Sequence, residues 1–317
     1  MKKILFVIDK IELKYFEFNN LVTNFWMIKS FLNNGCDVYI TTNPNLSLKQ
    51  DIPFAKCYET FMQDGNIFYK NVLIESKIDD FDLVMFRPDP PVDIDYINAT
   101  YIFDFVKKAE VINSPRAIRD FNEKLHSVYF KEYMSDNIVT SSLKEIEDFL
   151  SMHKQLVLKP LNRCFGSGVM YLHEGDPNTR TIINTMTNNE TTLVMVQEYI
   201  PEVKQGDIRV LTLGDKILPY SIKKLPTKDD FKFNTHNDNY ITDSGLTAAE
   251  LNAFTPVAQK LNSLGIKMAG LDVINGKIIE VNVTSPCYFI KEINNLYNIH
   301  LEQEISDYLL TKNLLSL

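Results

Sequence analysis

The apolar positions of this chain fall into short solid runs separated by stretches of helical spacing, the signature of alternating strands and helices. Lys3 to Asp9 is the first such run. It is too brief for the core of a signal peptide and ends in a charge, so it reads as a buried strand. Helical spacing from Asn24 to Asn34 closes at Gly35, and Asp37 to Thr42 is a second strand, so the chain opens as β-α-β. A further apolar strand, Phe81 to Arg87, runs into Arg87-Pro-Asp-Pro-Pro91, which forces an exposed loop at a strand's carboxyl end. Open α/β sheets place ligands there. A helix over Ile94 to Ala109 and a strand over Glu110 to Asn113 complete an open parallel-sheet domain. Its first strand-to-helix junction lacks G-x-G-x-x-G, which counts against a dinucleotide site.

Ser114-Pro115 is a helix start, serine capping and proline at the first position. The pattern then predicts helix Ser142–Met152, strands Gln155–Leu158 and Val169–Leu172, a helix near Asn178–Thr187 and strand Leu193–Gln197, an αββαβ unit. Strands Asp207–Leu213 and Lys216–Lys223, a polar stretch over Pro226–Ser244 that reads as a mobile loop, and helix Ala248–Leu264 follow. The chain divides accordingly into residues 1–122, 123–200 and 201–317.

Two more runs, Ala269 to Ile274 and Lys277 to Val283, flank Asn275-Gly276 and predict a β-hairpin. Asp272, Glu280 and Asn282 interrupt them with oxygen ligands. Glu280 and Asn282 share a face because side chains alternate along a strand. Asp272 joins them if the turn holds an odd number of residues, as a three-residue loop Ile274-Asn275-Gly276 with Gly276 left-handed would. Two carboxylates and an amide oxygen suit a hard cation such as Mg²⁺. The plain alternative is a hairpin whose polar residues face water.

Composition sharpens this picture only in places. The 317 residues exceed the usual size of one core, so two or three domains are expected. A net charge of −8 argues against nucleic acid or an anionic membrane as partner, while leaving room for a local basic pocket. No apolar run approaches the ~20 residues of a membrane span. Cys36, Cys57, Cys164 and Cys287 are scattered without metal-type pairing and read as reduced thiols of a cytoplasmic protein.

Lys159 follows the apolar run Leu156-Val-Leu158, and Lys124 is a second candidate for holding phosphate; each is otherwise a solvated surface charge. Between Lys159 and Val169 lie Gly166, Ser167 and Gly168, small enough to let backbone N–H groups reach phosphate oxygens or simply to turn a hairpin. Gln197-Glu198-Tyr199-Ile200 ends a strand at the second junction, where an adenine has room to sit. Arg209, in Asp207-Ile-Arg-Val210, interrupts an apolar run and needs a carboxylate or phosphate partner. No nucleophile and base share a suggestive spacing, which leaves phosphoryl transfer by positioning and charge.

Several motifs in order make the chain resemble bacterial glutathione synthetase, an ATP-grasp ligase: Arg87-Pro-Asp-Pro-Pro91, Arg119-Asp-Phe-Asn-Glu-Lys-Leu125, Leu158-Lys-Pro-Leu161, Glu174-Gly-Asp-Pro-Asn178, Gly206-Asp-Ile-Arg-Val210 and Glu280-Val-Asn-Val-Thr-Ser-Pro286. The resemblance implies an α/β architecture with the ATP-grasp fold: an N-terminal open parallel-sheet (Rossmann-like) domain, a small αβ lid and a C-terminal mixed-sheet domain. It implies ATP between the middle and C-terminal parts, with Lys124 and Lys159 at its phosphates, Glu198, Tyr199 and Ile200 at its adenine, and Gly166, Ser167, Gly168, Gln197 and Asp207 as further ATP-binding residues. Asp272, Glu280 and Asn282 would hold two Mg²⁺ ions, with Mn²⁺ as a substitute. Arg209, Lys232 and Asn234 would serve catalysis. Arg87, Thr284, Ser285 and again Asn234 would lie at the peptide substrate. The implied reaction ligates γ-glutamylcysteine and glycine to glutathione through an acyl phosphate, in a homotetramer.

Three segments depart from the family pattern. The glycine-rich D-G-x-G-G-x-G becomes Asn162-Arg-Cys-Phe-Gly-Ser-Gly168, with Arg163 and Phe165 at glycine positions. The loop pattern R-x-N-x-x-x-G-G becomes Lys232-Phe-Asn-Thr-His-Asn-Asp-Asn239, losing an arginine fork and both glycines. Glu17-Phe-Asn-Asn20 lacks the family's D-S/T-S/T. These changes leave open an ATP-grasp ligase of different substrates and a non-ligating ATP-binding homologue.

Overall fold

The computed structural model describes residues 1–9, 23–164, 166–226 and 241–312, and three sheets organise them. The first contains β1 (Lys3–Ile8), β2 (Asp37–Thr42), β3 (Leu46–Lys49), β4 (Ile52–Gln63), β5 (Asn66–Tyr69), β6 (Ile74–Lys77), β7 (Leu83–Phe86) and β8 (Glu110–Ile112), with helices α1 (Thr23–Asn33) and α2 (Ile94–Ile102). β2-β1-β7-β8 is the parallel centre read from the sequence, and its inner strands are buried apolar runs, Ile4 to Ile8 and Leu83 to Phe86, because they are covered on both faces. The sheet as a whole is mixed: β4 pairs antiparallel with β2 and carries β3, β5 and β6, an extension the sequence reading did not contain. The helix expected to reach Ala109 ends at Ile102 and tightens into a 3₁₀ turn over Phe103–Phe105.

After α3 (Pro115–Asp120), the middle unit has β9 (Asn137–Thr140), α4 (Leu143–His153), β10 (Gln155–Pro160), β11 (Met170–His173), α5 (Thr179–Met186) and β12 (Val194–Glu198). Its antiparallel sheet runs β11-β10-β12-β9, so the expected αββαβ unit gains a strand at its start. Ile146, Leu150, Leu156, Leu158, Ile183 and Val196 give it a small core of its own.

The last unit holds β13 (Asp207–Leu213), β14 (Lys216–Lys224), β15 (Ile241–Asp243), α6 (Ala248–Asn252), α7 (Thr255–Ser263), β16 (Met268–Ile274), β17 (Lys277–Asn282), α8 (Ile290–Tyr297) and α9 (Leu301–Lys312). The sheet order is β15-β14-β13-β16-β17 and every pairing is antiparallel, where a mixed sheet was expected. The single helix expected over Ala248–Leu264 is broken in two, and Pro256 starts the second piece where a missing N–H costs nothing. Residues 227–240, with Lys232 and Asn234, lie outside the described residues.

The first and last units share a core. Phe25, Met27 and Phe31 of α1 pack with Ile290 and Ile293 of α8 and Ile305 and Leu309 of α9. Asn113, 3% exposed at the end of β8, stitches the two sheets together. Its amide donates to the carbonyls of Met268 and Val283 at 2.7 Å and accepts from the N–H groups of Lys267 and Met268 at 2.9 and 2.8 Å. No helix among the described residues is long and apolar enough to cross a membrane.

Candidate active site

A cavity of about 670 Å³ opens where the three sheets meet. Its walls are the ends of β1 and β7, the inner faces of β10 and β12, and one face of β13, β16 and β17.

The hairpin of β16 and β17 sets the third wall. Its turn has two residues, Asn275 and Gly276, both left-handed at φ 48° and 72°, as a primed hairpin turn requires. An even turn alone would put Asp272 opposite Ile279 and send Glu280 to the other face. A β-bulge at Ile279 supplies the odd residue, so Val273 pairs with Ile278 but Asp272 pairs with Glu280. The burial pattern records the slip: Ile278, Val281 and Val283 face the core, while Glu280 and Asn282 face the cavity. The three-residue turn expected from sequence is therefore replaced by a two-residue turn plus a bulge with the same parity.

On this face Asp272 is saturated. Its Oδ1 accepts from Arg209 Nε at 2.8 Å and Lys224 Nζ at 3.0 Å. Its Oδ2 accepts from Arg209 Nη2 at 3.2 Å and Asn282 Nδ2 at 3.0 Å. Arg209 also donates to the Cys287 carbonyl at 3.1 Å. Lys224 bridges to Asp207 Oδ2 at 2.9 Å. Burial works to raise the Asp272 carboxyl, but Arg209 and Lys224 outweigh it and hold it well below the usual carboxylate range. Asp207, in contrast, is pushed up to about 6 by burial and by the charge of Asp272, against the pull of Lys224.

Lys124 reaches Glu280 Oε1 at 3.0 Å and the Arg163 carbonyl at 2.6 Å. Lys159, 7% exposed on β10, donates to the carbonyl of Ile279, the bulged residue, at 2.9 Å. Burial pulls its ammonium down to about 8, with Glu280 pulling the other way. The bulge thus aims a carboxylate into the cavity and also offers a carbonyl to the lysine facing it.

The turn over Gly166, Ser167 and Gly168 is wound on itself rather than open as an anion nest. The Ser167 N–H bonds the Cys164 carbonyl at 3.0 Å and the Val169 N–H the Gly166 carbonyl at 3.3 Å. Gly166 lines the cavity; Ser167 and Gly168 do not. The Arg163 side chain packs beside Gly168, at a position where the family pattern has glycine. Phe165 lies outside the described residues. Cys164 Sγ contacts the Pro90 carbonyl at 3.7 Å, so this turn touches the loop after β7.

At the end of β12, Gln197, Glu198, Tyr199 and Ile200 also line the cavity, as does Asp207. Gln197 Nε2 and Asp207 Oδ1 are buried there without a protein partner. Such groups are costly unless something supplies a hydrogen bond, and a nucleoside edge has the donors and acceptors to do so. On the N-terminal side Arg87, 2% exposed, donates to Asn24 Oδ1 at 2.6 Å and to the Pro286 carbonyl at 2.8 Å. Thr284 and Ser285 line the same region. Glu123 Oε1 accepts the Val283 and Thr284 N–H groups at 2.6 and 3.0 Å, which fixes that loop to the segment bearing Lys124.

All the sequence candidates among the described residues except Lys124, Ser167 and Gly168 line this one cavity, and Lys124 bonds a lining residue. Sequence reading passed over Lys224, Glu123, Asn24 and the carboxylates Asp9 and Asp89 at the mouth. Lys224 was detectable: it lies two residues beyond Ile222 on a strand, so it shares that residue's inward face. Nothing local marked the others, which the fold gathers from separate elements. The residue types fit a hard divalent ion: Asp272, Glu280 and Asn282 carry oxygens and share one face, Asp272 being held here by Arg209, Lys224 and the Asn282 amide N–H, and the cations beside them suit an anionic ligand.

Comparisons with known proteins bear on the family and the fold. The model of the prokaryotic glutathione synthetase N-terminal domain matches residues 2–119, and that of its ATP-grasp domain matches residues 123–298. A glutathione synthetase of Vibrio vulnificus is 30% identical over 289 residues, covering 90% of this chain and 91% of that protein. One from Neisseria meningitidis is 32% identical over 275 residues, covering 84% and 86%. Among solved structures, D-cycloserine synthetase DcsG superposes with a TM-score of 0.67 at 12% identity, over 98% of this chain and 99% of that one. D-alanyl-alanine synthetase A of Vibrio cholerae gives 0.60 at 11%, over 98% and 99%. At such identities these structures speak for the fold alone.

Proposed function

The chain belongs to the prokaryotic glutathione synthetase family and is an ATP-dependent carboxylate–amine ligase; from that premise we propose that its cavity joins the cysteinyl carboxylate of γ-glutamylcysteine to the amine of glycine. One observation carries the reading. Arg209, Lys224, Lys159 and Lys124, from different elements, converge on the face that presents Asp272, Glu280 and Asn282. A polyphosphate needs that density of cations, and a divalent ion needs those oxygens.

In this account Gln197 and Asp207 complete the hydrogen bonds of the nucleoside, and the Glu198–Ile200 segment lies along the adenine. Lys124 and Lys159 hold phosphates, and Arg209 faces the phosphoryl group that moves. Arg87, Thr284 and Ser285 hold the peptide against the N-terminal sheet. Asp272, Glu280 and Asn282 would hold two Mg²⁺ ions, which would supply positive charge against the charge that develops on the transferred group. A carboxylate oxygen of the peptide attacks the terminal phosphorus and ADP leaves. The glycine amine then attacks the acyl carbon, the bond to phosphate breaks, and a proton is lost from nitrogen. Closure of the lid turn toward the Pro90 loop keeps water from that activated carbonyl. Lys232 and Asn234 would act on the same group. By the same reading the protein is a cytoplasmic homotetramer, which light scattering on the purified protein checks.

The test is ADP release with Mg-ATP, γ-glutamylcysteine and glycine, omitting each in turn and weighing the product by mass spectrometry. Glutathione formed only when both substrates are present supports the proposal. ADP release with other carboxylate and amine pairs alone would assign a different ligase. Nucleotide binding without turnover on any pair would remove ligation altogether.

A further inference from the structure

The Asp272 carboxylate is the most fully committed group in the cavity. A carboxylate offers about four lone-pair sites, and four donors fill those of Asp272: two from Arg209, one from Lys224 and one from Asn282. A metal ion drawn to Asp272 meets no spare lone pair and must displace a donor. Asn282 is committed in the same sense, since its Nδ2 also donates to the Gly270 carbonyl at 3.2 Å and its amide turns N–H, not oxygen, toward Asp272. Glu280 has its own cation in Lys124. Each carboxylate of the metal-binding face is therefore already neutralised by a side chain of the protein.

We propose that Lys224, with Arg209, is a positioning residue that competes with the divalent ion for Asp272, so that metal and nucleotide bind strongly only together. This rests on the assignment of Asp272 and Asn282 as metal ligands above. A lone divalent ion must displace donors from Asp272, which takes the buried Arg209 guanidinium off its carboxylate and leaves Lys224 to Asp207, and moving buried cations off their anion is costly. A metal-bound polyphosphate brings replacement anions, and the guanidinium and ammonium move onto phosphate oxygens as the metal takes the carboxylate. Lys224 is suited to the exchange because it already divides itself between Asp272 at 3.0 Å and Asp207 at 2.9 Å, and shifts between anions by rotating its own side chain. Linkage makes the effect reciprocal: whatever factor the nucleotide adds to metal affinity, the metal adds to nucleotide affinity.

The experiment is Mn²⁺ binding, read by electron paramagnetic resonance on the full-length protein, with and without a non-hydrolysable ATP analogue. It reads binding alone, so it does not depend on which carboxylate and amine the enzyme joins. In the parent protein the analogue should raise Mn²⁺ affinity at least about tenfold beyond what the analogue binds by itself. Lys224→Met should tighten Mn²⁺ binding without nucleotide by about tenfold and shrink that synergy. Lys224→Arg should keep the parent pattern. Lys223→Met removes the same charge from the opposite face of β14 and should leave Mn²⁺ binding alone, which separates contact from long-range field. Unchanged or weaker Mn²⁺ binding in a folded Lys224→Met protein would overturn the proposal, as would an equal gain in Lys223→Met. Should Lys224→Met fail to fold, Lys224→Gln with the same reading decides. An Mn²⁺–analogue–protein complex that never forms would instead remove the metal assignment on which the proposal rests.

Discussion

At the scale of single residues, the chemistry depends on buried charges that satisfy one another. Asp272 is the hub, and Arg209 and Lys224 are both at least nine-tenths buried beside it. Asp272→Asn removes the charge and keeps the shape. It leaves two buried cations poorly matched, so unfolding free energy should drop by about 3–5 kcal/mol, measured by urea titration. Turnover should fall by about 10²-fold or more even at saturating metal. Lys159 makes a pH prediction. Its ammonium, ordinarily near 10.5, titrates near 8 in the folded protein because it is buried. Between those values the unfolded chain binds more protons than the fold, so this group adds stability as pH rises. In the role proposed for Lys159, phosphate binding needs the protonated form, so affinity for ATP goes the other way. The kcat/KM for ATP should decline as pH rises through about 8, and Lys159→Arg, which stays charged, should abolish that inflection.

At the scale of elements, the hairpin of β16 and β17 shows how backbone geometry places side chains. Gly276 occupies a left-handed position at φ 72°, so Gly276→Val should cost about 1–2 kcal/mol and lower the melting temperature by a few degrees. Gly270 has a different reason to be glycine: a Cβ there would stand 2.8 Å from Arg209 Nη1 and 2.9 Å from its Cδ. Gly270→Ala should push the guanidinium off Asp272 and reduce kcat by about 10–100-fold with little change in overall fold, measured by steady-state kinetics and circular dichroism. The strand pair and its metal-type residues were legible from the sequence because alternation and Asn-Gly are local signals. The bulge was not, since a slip at Ile279 is chosen by whether Ile278 or Ile279 finds the core, and that core is assembled from α7, β13 and β16. For the same reason the extension around β4 was missed. Its residues alternate weakly, and only pairing with β2 and packing of Ala55 and Cys57 make it a strand.

At the scale of the whole molecule, the cavity exists because three units with separate signals are joined by contacts that no local pattern announces. Asn113 is one such contact, with four hydrogen bonds between the first and last sheets. Asn113→Ala should strand those backbone groups, destabilise the protein by about 2–4 kcal/mol in thermal unfolding, and weaken activity because β16 carries Asp272. The motifs along the chain were sufficient for the fold and for most of the cavity walls; Glu123 and Asn24 needed the three-dimensional arrangement. The central claim is that this cavity activates a peptide carboxylate by phosphorylating it. The direct measurement is to supply γ-glutamylcysteine carrying heavy oxygen in its cysteinyl carboxylate, with Mg-ATP and glycine, and to analyse the released phosphate by mass. One labelled oxygen in each phosphate, with the other retained in glutathione, is the predicted result. Unlabelled phosphate alongside product, or label retained wholly in the peptide, would contradict the account.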